Sequence, residues 1–271
     1  MIPFNRDKVL NILFESRNRL TASAYIGLIA QHMSISIRQA RQVLKSLVND
    51  QEIAFQDLYG STYVMESFSK PVRVSDRFFI IPPKIKSIAQ PHKMDIRIAL
   101  GIAFGSGHHP TTRLSLLALD TLFFHLDTHQ FLQGKQAGDI GTGSGVLAIA
   151  ACLAGMDTCQ AWEIDANAVS EARQNVAANR LEQRISIVDD LMDPKDLALS
   201  LLMANLRFPT LKQLAPLIVQ AVIPGAFLVL SGIRSWETSP LVAHYETHGF
   251  SLVWQKDEKD WAVVIFKTTP Q

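Results

Sequence analysis

The residues best placed to do chemistry begin with Asp139-Ile140-Gly141-Thr142-Gly143-Ser144-Gly145, a glycine-rich turn behind an apolar strand and directly ahead of the apolar run Val146 to Ala154. Glycines there let backbone approach a ligand closely and bend sharply into a helix, whose amino-terminus favours a carboxylate or phosphate. A nucleotide-type cofactor is implied, although turn chemistry alone reads equally well at a strand-to-helix connection. A dinucleotide fingerprint would need its third glycine where Val146 stands, so this Gly-x-Gly-x-Gly loop disfavours NAD and favours S-adenosylmethionine. Asp139, Gly141 and Gly143 are its candidate contacts.

The next strand ends in Trp162-Glu163-Ile164-Asp165, with Glu163 eighteen residues after Gly145. An acidic side chain at that sheet edge can accept ribose hydroxyl protons, which makes Glu163 the candidate, and Asp165 reads as a helix N-cap. After the third strand, Asp189 and Asp190 could reach an adenine amino group or simply cap the next turn of the chain. The fourth strand ends in Met203-Ala204-Asn205-Leu206, which places Asn205 at the carboxyl edge of the strands, where open α/β sheets bind ligands. Its amide oxygen, with nearby carbonyls, could accept an amine's hydrogens and aim the lone pair at a methyl group, so that positioning supplies most of the rate. A strand end opening a turn is the plainer reading.

Ala103 to Thr112 holds two glycines, the pair His108-His109 and Pro110-Thr111-Thr112, a tight polar loop with a helix start. Adjacent histidines rarely share one ion, and no carboxylate or cysteine joins them at ligand spacing, so no metal is expected.

The elements that must position these residues are set by periodicity. From about Thr111 onward, helices and strands alternate, giving a parallel, doubly wound α/β sheet. Strands end near Ile140, Glu163, Val188 and Leu206, another runs Ala226 to Ser231, and a terminal hairpin pairs Phe250 to Gln255 with Trp261 to Phe266 across Lys256 to Asp260. Residues 69–102 read as a β-rich lead-in. Ahead of them, helices over Asp7 to Ser16, behind Thr21-Ala22-Ser23, and over Ser36 to Asn49 with Ser34 as cap precede two short strands around Tyr59-Gly60. That is the layout of a winged helix-turn-helix, with domains 1–68 and 69–271. Arg38, Arg41 and Lys45 give the third helix a basic face. Seven basic against six acidic side chains over residues 1–66 leave only +1, so DNA binding is not the expectation; protein recognition or packing is.

Bulk composition limits the partners. The 271 residues are 48% hydrophobic and 19% charged, with 26 basic against 25 acidic side chains. That is a globular balance with no net field to collect nucleic acid or anionic lipid. Cys152 and Cys159 form no disulfide framework. With no leader-like start and no apolar run long enough to span a bilayer, the expectation is a soluble, cytoplasmic protein.

Taken together, Phe104 to Thr112, Asp139 to Gly145, Glu163 to Asp165, Met203 to Leu206, Pro224-Gly225 and Leu230 to Ile233 resemble the PrmA family, which methylates a large-subunit ribosomal protein on amino groups. The resemblance covers about Val72 to Lys267. It implies a Rossmann-like, seven-stranded class I methyltransferase domain using S-adenosylmethionine. Ser106 stands where the family usually has a cofactor-contacting Thr, Gly141 and Gly143 line the methionine moiety, Glu163 holds the ribose in place of the commoner Asp, and Asn205 lies beside the transferred methyl. The winged-helix-like start departs from the family's compact α+β substrate-gripping domain and leaves the protein substrate open, a ribosomal protein being one expectation. The alternative is a winged-helix DNA-binding regulator whose second domain senses S-adenosylmethionine without catalysis.

Overall fold

A computed structural model describes residues 4–14, 16, 18–58, 60–67, 69–83, 85, 92–99 and 109–269. The chain divides into two compact units, Met1–Pro71 and Val72–Gln271, so the β-rich stretch after Pro71 belongs with the second.

The first unit contains α1 (Arg6–Phe14), β1 (Leu20–Thr21), α2 (Ala22–Met33), α3 (Ile37–Asn49), β2 (Ile53–Leu58) and β3 (Ser61–Glu66). The strands form an antiparallel sheet in the order β1-β3-β2. Val9, Tyr25, Ile29, Ala40, Leu47, Ile53 and Val64 meet in its core, where the Tyr25 hydroxyl donates to the Val9 carbonyl at 2.8 Å. Ser34 does not cap α3 as expected. It ends α2 in the left-handed region (φ 54°), and Ser36 is the N-cap, exchanging hydrogen bonds with Gln39 in a capping box. The two-residue strand β1 is too short to leave a period in the sequence.

The second unit opens with β4 (Val72–Arg73), β5 (Phe78–Ile81) and β6 (Met94–Arg97), which form a small sheet in that order. Next along the chain are α4 (Pro110–Phe124), α5 (His129–Leu132), β7 (Gln136–Ile140), α6 (Val146–Ala154), β8 (Thr158–Trp162), α7 (Ala166–Ala178), β9 (Ile185–Val188) and β10 (Leu199–Asn205). Then come α8 (Phe208–Ala221), β11 (Val222–Arg234), a 3₁₀ turn (Ser235–Glu237), α9 (Thr238–Glu246), β12 (Phe250–Glu258) and β13 (Trp261–Thr268). The large sheet is seven-stranded, ordered β12-β13-β11-β10-β7-β8-β9. It is parallel from β11 to β9, while β13 runs antiparallel to both its neighbours. Among the described residues no helix is long and apolar enough to cross a membrane.

Two differences from the expected elements have physical causes. Strand β12 runs on through the charged residues to Glu258, because an exposed strand face tolerates charge, and the turn is only Lys259-Asp260, both at positive φ (52° and 65°) as a two-residue hairpin demands. Helix α9 leaves little periodic signal because Pro240 sits in its first turn and its apolar stripe is thin. Leu241 and Tyr245 supply its buried contacts, and the Tyr245 hydroxyl donates to the Leu211 carbonyl at 2.8 Å.

Helix α6 is apolar on every side because it lies inside the unit. Beside it, α7 uses two asparagines as if they were strand. Asn179 exchanges hydrogen bonds with both backbone groups of Arg97 (2.9 and 2.8 Å). Asn175, fully buried, accepts from Ala99 N and donates to the Ser144 carbonyl in the glycine turn, each at 2.9 Å. The amides thus extend β6 past its end and tie it to the turn. Replacing Asn175 with Leu should orphan both backbone groups and cost about 2–3 kcal/mol. A lowered urea midpoint at unchanged m-value would show it; an unmoved midpoint would mean that the bridge contributes nothing.

Candidate active site

The glycine turn is held from beneath. Asp139, at the last turn-facing position of β7 and 1% exposed, accepts from Thr142 Oγ1 at 2.6 Å and from Ala148 N at 3.2 Å in the first turn of α6. Burial pushes its carboxyl up to about 6, with the two hydrogen bonds opposing and the charge of Glu163 adding to the rise. Gly141, Gly143 and Gly145 all take left-handed backbone (φ 68°, 56° and 83°), and the amides of Gly141 and Thr142 both donate to the Trp162 carbonyl at the end of β8 (2.9 and 3.0 Å).

Glu163 closes the turn from the neighbouring strand. Its Oε2 accepts from Gly143 N at 3.0 Å, and its Oε1 accepts from Ile164 N and Asp165 N (2.9 and 3.1 Å). Three of roughly four acceptor positions on a carboxylate are therefore in use, so a ligand diol must share them. Asp165 caps α7 as expected, accepting from Asn167 N and Ala168 N. Asp190, exposed after β9, accepts from its neighbour Leu191 N at 2.7 Å.

These strand ends enclose a cavity of about 510 Å³. Gly141, Gly143, Glu163, Asp190 and Asn205 all line it; Asp139 lies under it, outside the lining. Ser106 and most of its loop lie outside the described residues. Among lining residues there are three carboxylates, Glu163, Asp165 and Asp190, and no lysine or arginine. Such a wall attracts a cationic ligand and repels a pyrophosphate. Asn205 Oδ1 is buried without a hydrogen-bond partner among the described residues, an acceptor left open beside the cavity.

Ile164 and Leu191, 67% and 71% exposed, also line the cavity, as do Thr210 and Leu214 of α8. None of these is singled out by sequence motifs. A signal exists for the first pair, since Glu163-Ile164 and Asp190-Leu191 repeat an acid followed by an apolar residue after consecutive strands. Gly232 positions Asn205 indirectly: a Cβ there would lie 2.4 Å from the Leu206 carbonyl oxygen, so only glycine lets the Leu206 backbone lie this close to β11, where Leu206 N donates to the Ser231 carbonyl.

The raised Asp139 carboxyl carries a pH signature. A carboxyl protonated more readily in the folded state than in the unfolded one gives stability that is fully present below about pH 4 and is lost as pH rises through about 6. The difference in urea stability between Asp139→Asn and the native chain should therefore shift in the variant's favour by about 2–3 kcal/mol between these limits. A difference independent of pH would show that the carboxylate is not penalised by burial.

Comparison with known proteins identifies the family and the fold. The sequence profile of the family described as Ribosomal protein L11 methyltransferase (PrmA) matches residues 15–269. The match reaches far beyond the Val72-to-Lys267 span of the recognisable motifs, into the first unit. The ribosomal protein L11 methyltransferase of Carboxydothermus hydrogenoformans is 30% identical over 252 residues, covering 91% of this chain and 79% of that protein. Its namesake from Geotalea uraniireducens is 32% identical over 212 residues, covering 74% of this chain. The chain spans just under two thirds of the length of relatives such as this one and that of Shewanella sediminis (65% and 64%). A solved ribosomal protein L11 methylase from Lactobacillus delbrueckii subsp. bulgaricus superposes with a TM-score of 0.64 at 22% identity, over 74% of this chain and all of that one, and shares the fold. The chain belongs to the ribosomal protein L11 methyltransferase (PrmA) family.

Proposed function

We propose that this chain is an S-adenosylmethionine-dependent protein N-methyltransferase acting on lysine or α-amino groups, with ribosomal protein L11, the protein named in its relatives' descriptions, as the first substrate to test. The observation that carries this reading is a carboxylate-lined, cation-free cavity with the unpartnered Asn205 Oδ1 beside it.

The residues fit the cofactor's parts. Gly141 and Gly143, with Ser106, would hold the methionine end, Glu163 the ribose and Asp190 the adenine amino group, with the exposed Ile164 and Leu191 offering apolar surface to the flat base. S-adenosylmethionine supplies an electrophilic methyl group when bound. The protein's task is then to present a neutral amine. Asn205 Oδ1 accepts one N–H and turns the lone pair toward the methyl group, which is catalysis by orientation. Free lysine titrates near pH ~10.4, and the apolar Leu206 and Leu214 on the cavity wall oppose the ammonium by desolvation. A carboxylate at position 205 would hold the ammonium instead. The first unit, read as a winged helix over residues 1–68 ahead of a catalytic domain 69–271, would contact protein, and cytoplasm is the compartment that fits this substrate.

Calorimetric titration with S-adenosylmethionine should show binding by the native chain and none by Gly143→Asp, which puts a side chain on left-handed backbone at a cavity-lining position. With labelled cofactor and purified L11, Asn205→Ala should keep the cofactor Kd but lose about a hundredfold in kcat. Asn205→Asp, by favouring the ammonium, should move the rising limb of the kcat profile to higher pH. Label entering nucleic acid or small molecules, with none in polypeptide, would sink the assignment.

A further inference from the structure

Strand β11 continues past Ser231, the register partner of Asn205, through the bulge at Gly232 to Arg234, which pairs with Trp261 at the start of β13. The Arg234 guanidinium carbon lies 3.8 Å from the ring centroid of Trp261 and 5.7 Å from that of Trp236. His109 also packs on this tryptophan, its ring meeting Trp261 edge-on at 4.6 Å. Trp236 is 66% exposed, an unusual state for an indole. Two carboxylates share this turn. Glu237 Oε2 accepts from the Arg234 backbone N at 2.7 Å, and Asp260 offers its backbone carbonyl to Ser235 N. No ion pair joins the guanidinium to an acid among the described residues.

An arginine laid flat on an indole keeps its planar fork pre-organised, with edge N–H groups available to grip a carboxylate in two places. An exposed tryptophan beside such an arginine has the make-up of an interface hot spot. At ~3.3 Å per residue, Arg234 lies about 10 Å along the strand beyond the level of Asn205, on the same carboxyl edge of the sheet. That separation suits a substrate whose amine reaches inward to Asn205 while its backbone passes the rim. Carboxylates line the cavity, whereas Arg234 is outside its lining and makes no ion pair among the described residues.

We propose that Arg234, steadied by Trp261 and flanked by Trp236, receives an acidic side chain of the protein substrate that neighbours the acceptor amine. This rests on the reading of the chain as a protein N-methyltransferase. The site selects the polypeptide and takes no part in methyl transfer or cofactor binding.

The test uses the full chain, labelled S-adenosylmethionine and purified L11 as acceptor, with Arg234→Gln and Trp236→Ala; the latter changes an exposed side chain and leaves the core intact. Both should raise KM for L11 about tenfold, with kcat within about twofold and cofactor Kd unchanged. With an acceptor peptide carrying one acidic residue beside its lysine, changing that acid to Gln should cost the native chain the same factor and cost Arg234→Gln nothing further. KM values equal to native, or a loss confined to kcat, would overturn the site while leaving the activity standing. If the native chain leaves L11 unlabelled, the activity reading falls, and this site falls with it.

Discussion

The Asp139 carboxylate, buried beneath the glycine turn and bonded to Thr142 and to the first turn of α6, fixes the frame in which every ligand-facing residue is placed. An ionised group in that position is costly, and two hydrogen bonds only partly offset its burial, which is why its titration moves up toward neutrality. What the bonds secure is the left-handed path of the turn. Once that path is set, the Gly143 amide faces Glu163, and the Trp162 carbonyl takes both the Gly141 and Thr142 amides. The ends of β7 and β8 are thus stitched together, and Asn175 carries the same turn across to the segment after β6. A polar network this deep is stable only when its members are nearly all satisfied.

Among the described residues that line the cavity, Asn205 is the one whose buried polar atom has no hydrogen-bond partner. Its neutrality matters as much as its position. The cavity already presents three carboxylates, and in the proposed reaction a further one beside the acceptor nitrogen would stabilise the protonated, unreactive amine. An amide accepts a hydrogen bond without supplying charge. On the proposed reading the wall separates two tasks, electrostatic attraction by Glu163, Asp165 and Asp190, and uncharged alignment by Asn205.

Much of this is legible in the sequence because it lies in local patterns. The glycine turn, the acid after β8, the N-cap Asp165 and the strand ending at Asn205 are read from neighbours in the chain, and the structure brings Gly141, Gly143, Glu163, Asp190 and Asn205 to one cavity. The features that are not legible depend on contacts between distant segments. Asp139 is expected at the ligand, yet lies under the turn, because a strand-end acid can face either the cavity or the helix behind it. The bridging of Asn175 to Ala99 spans 76 residues and leaves no local trace. Gly232 is needed because the Leu206 backbone lies close against it, and the stacking of Arg234 on Trp261 depends on a register between two strands. Helix boundaries escape local patterns where the chain departs from average chemistry, as at Ser34 and Pro240.

The order of strands also bears on how the chain is made. Strand β13, the last in the described chain, lies inside the sheet between β11 and β12, and Val263 to Phe266 are fully buried there. Until it emerges, the backbone edge of β11 is open beside Phe227 to Leu230, an apolar ladder of the kind that recruits foreign strands. Synthesis from the amino-terminus can assemble β7 to β10 early, but the sheet closes only when β13 has emerged. A chain stopped before Trp261 would retain the cavity-lining residues and still be a sticky, unfinished product.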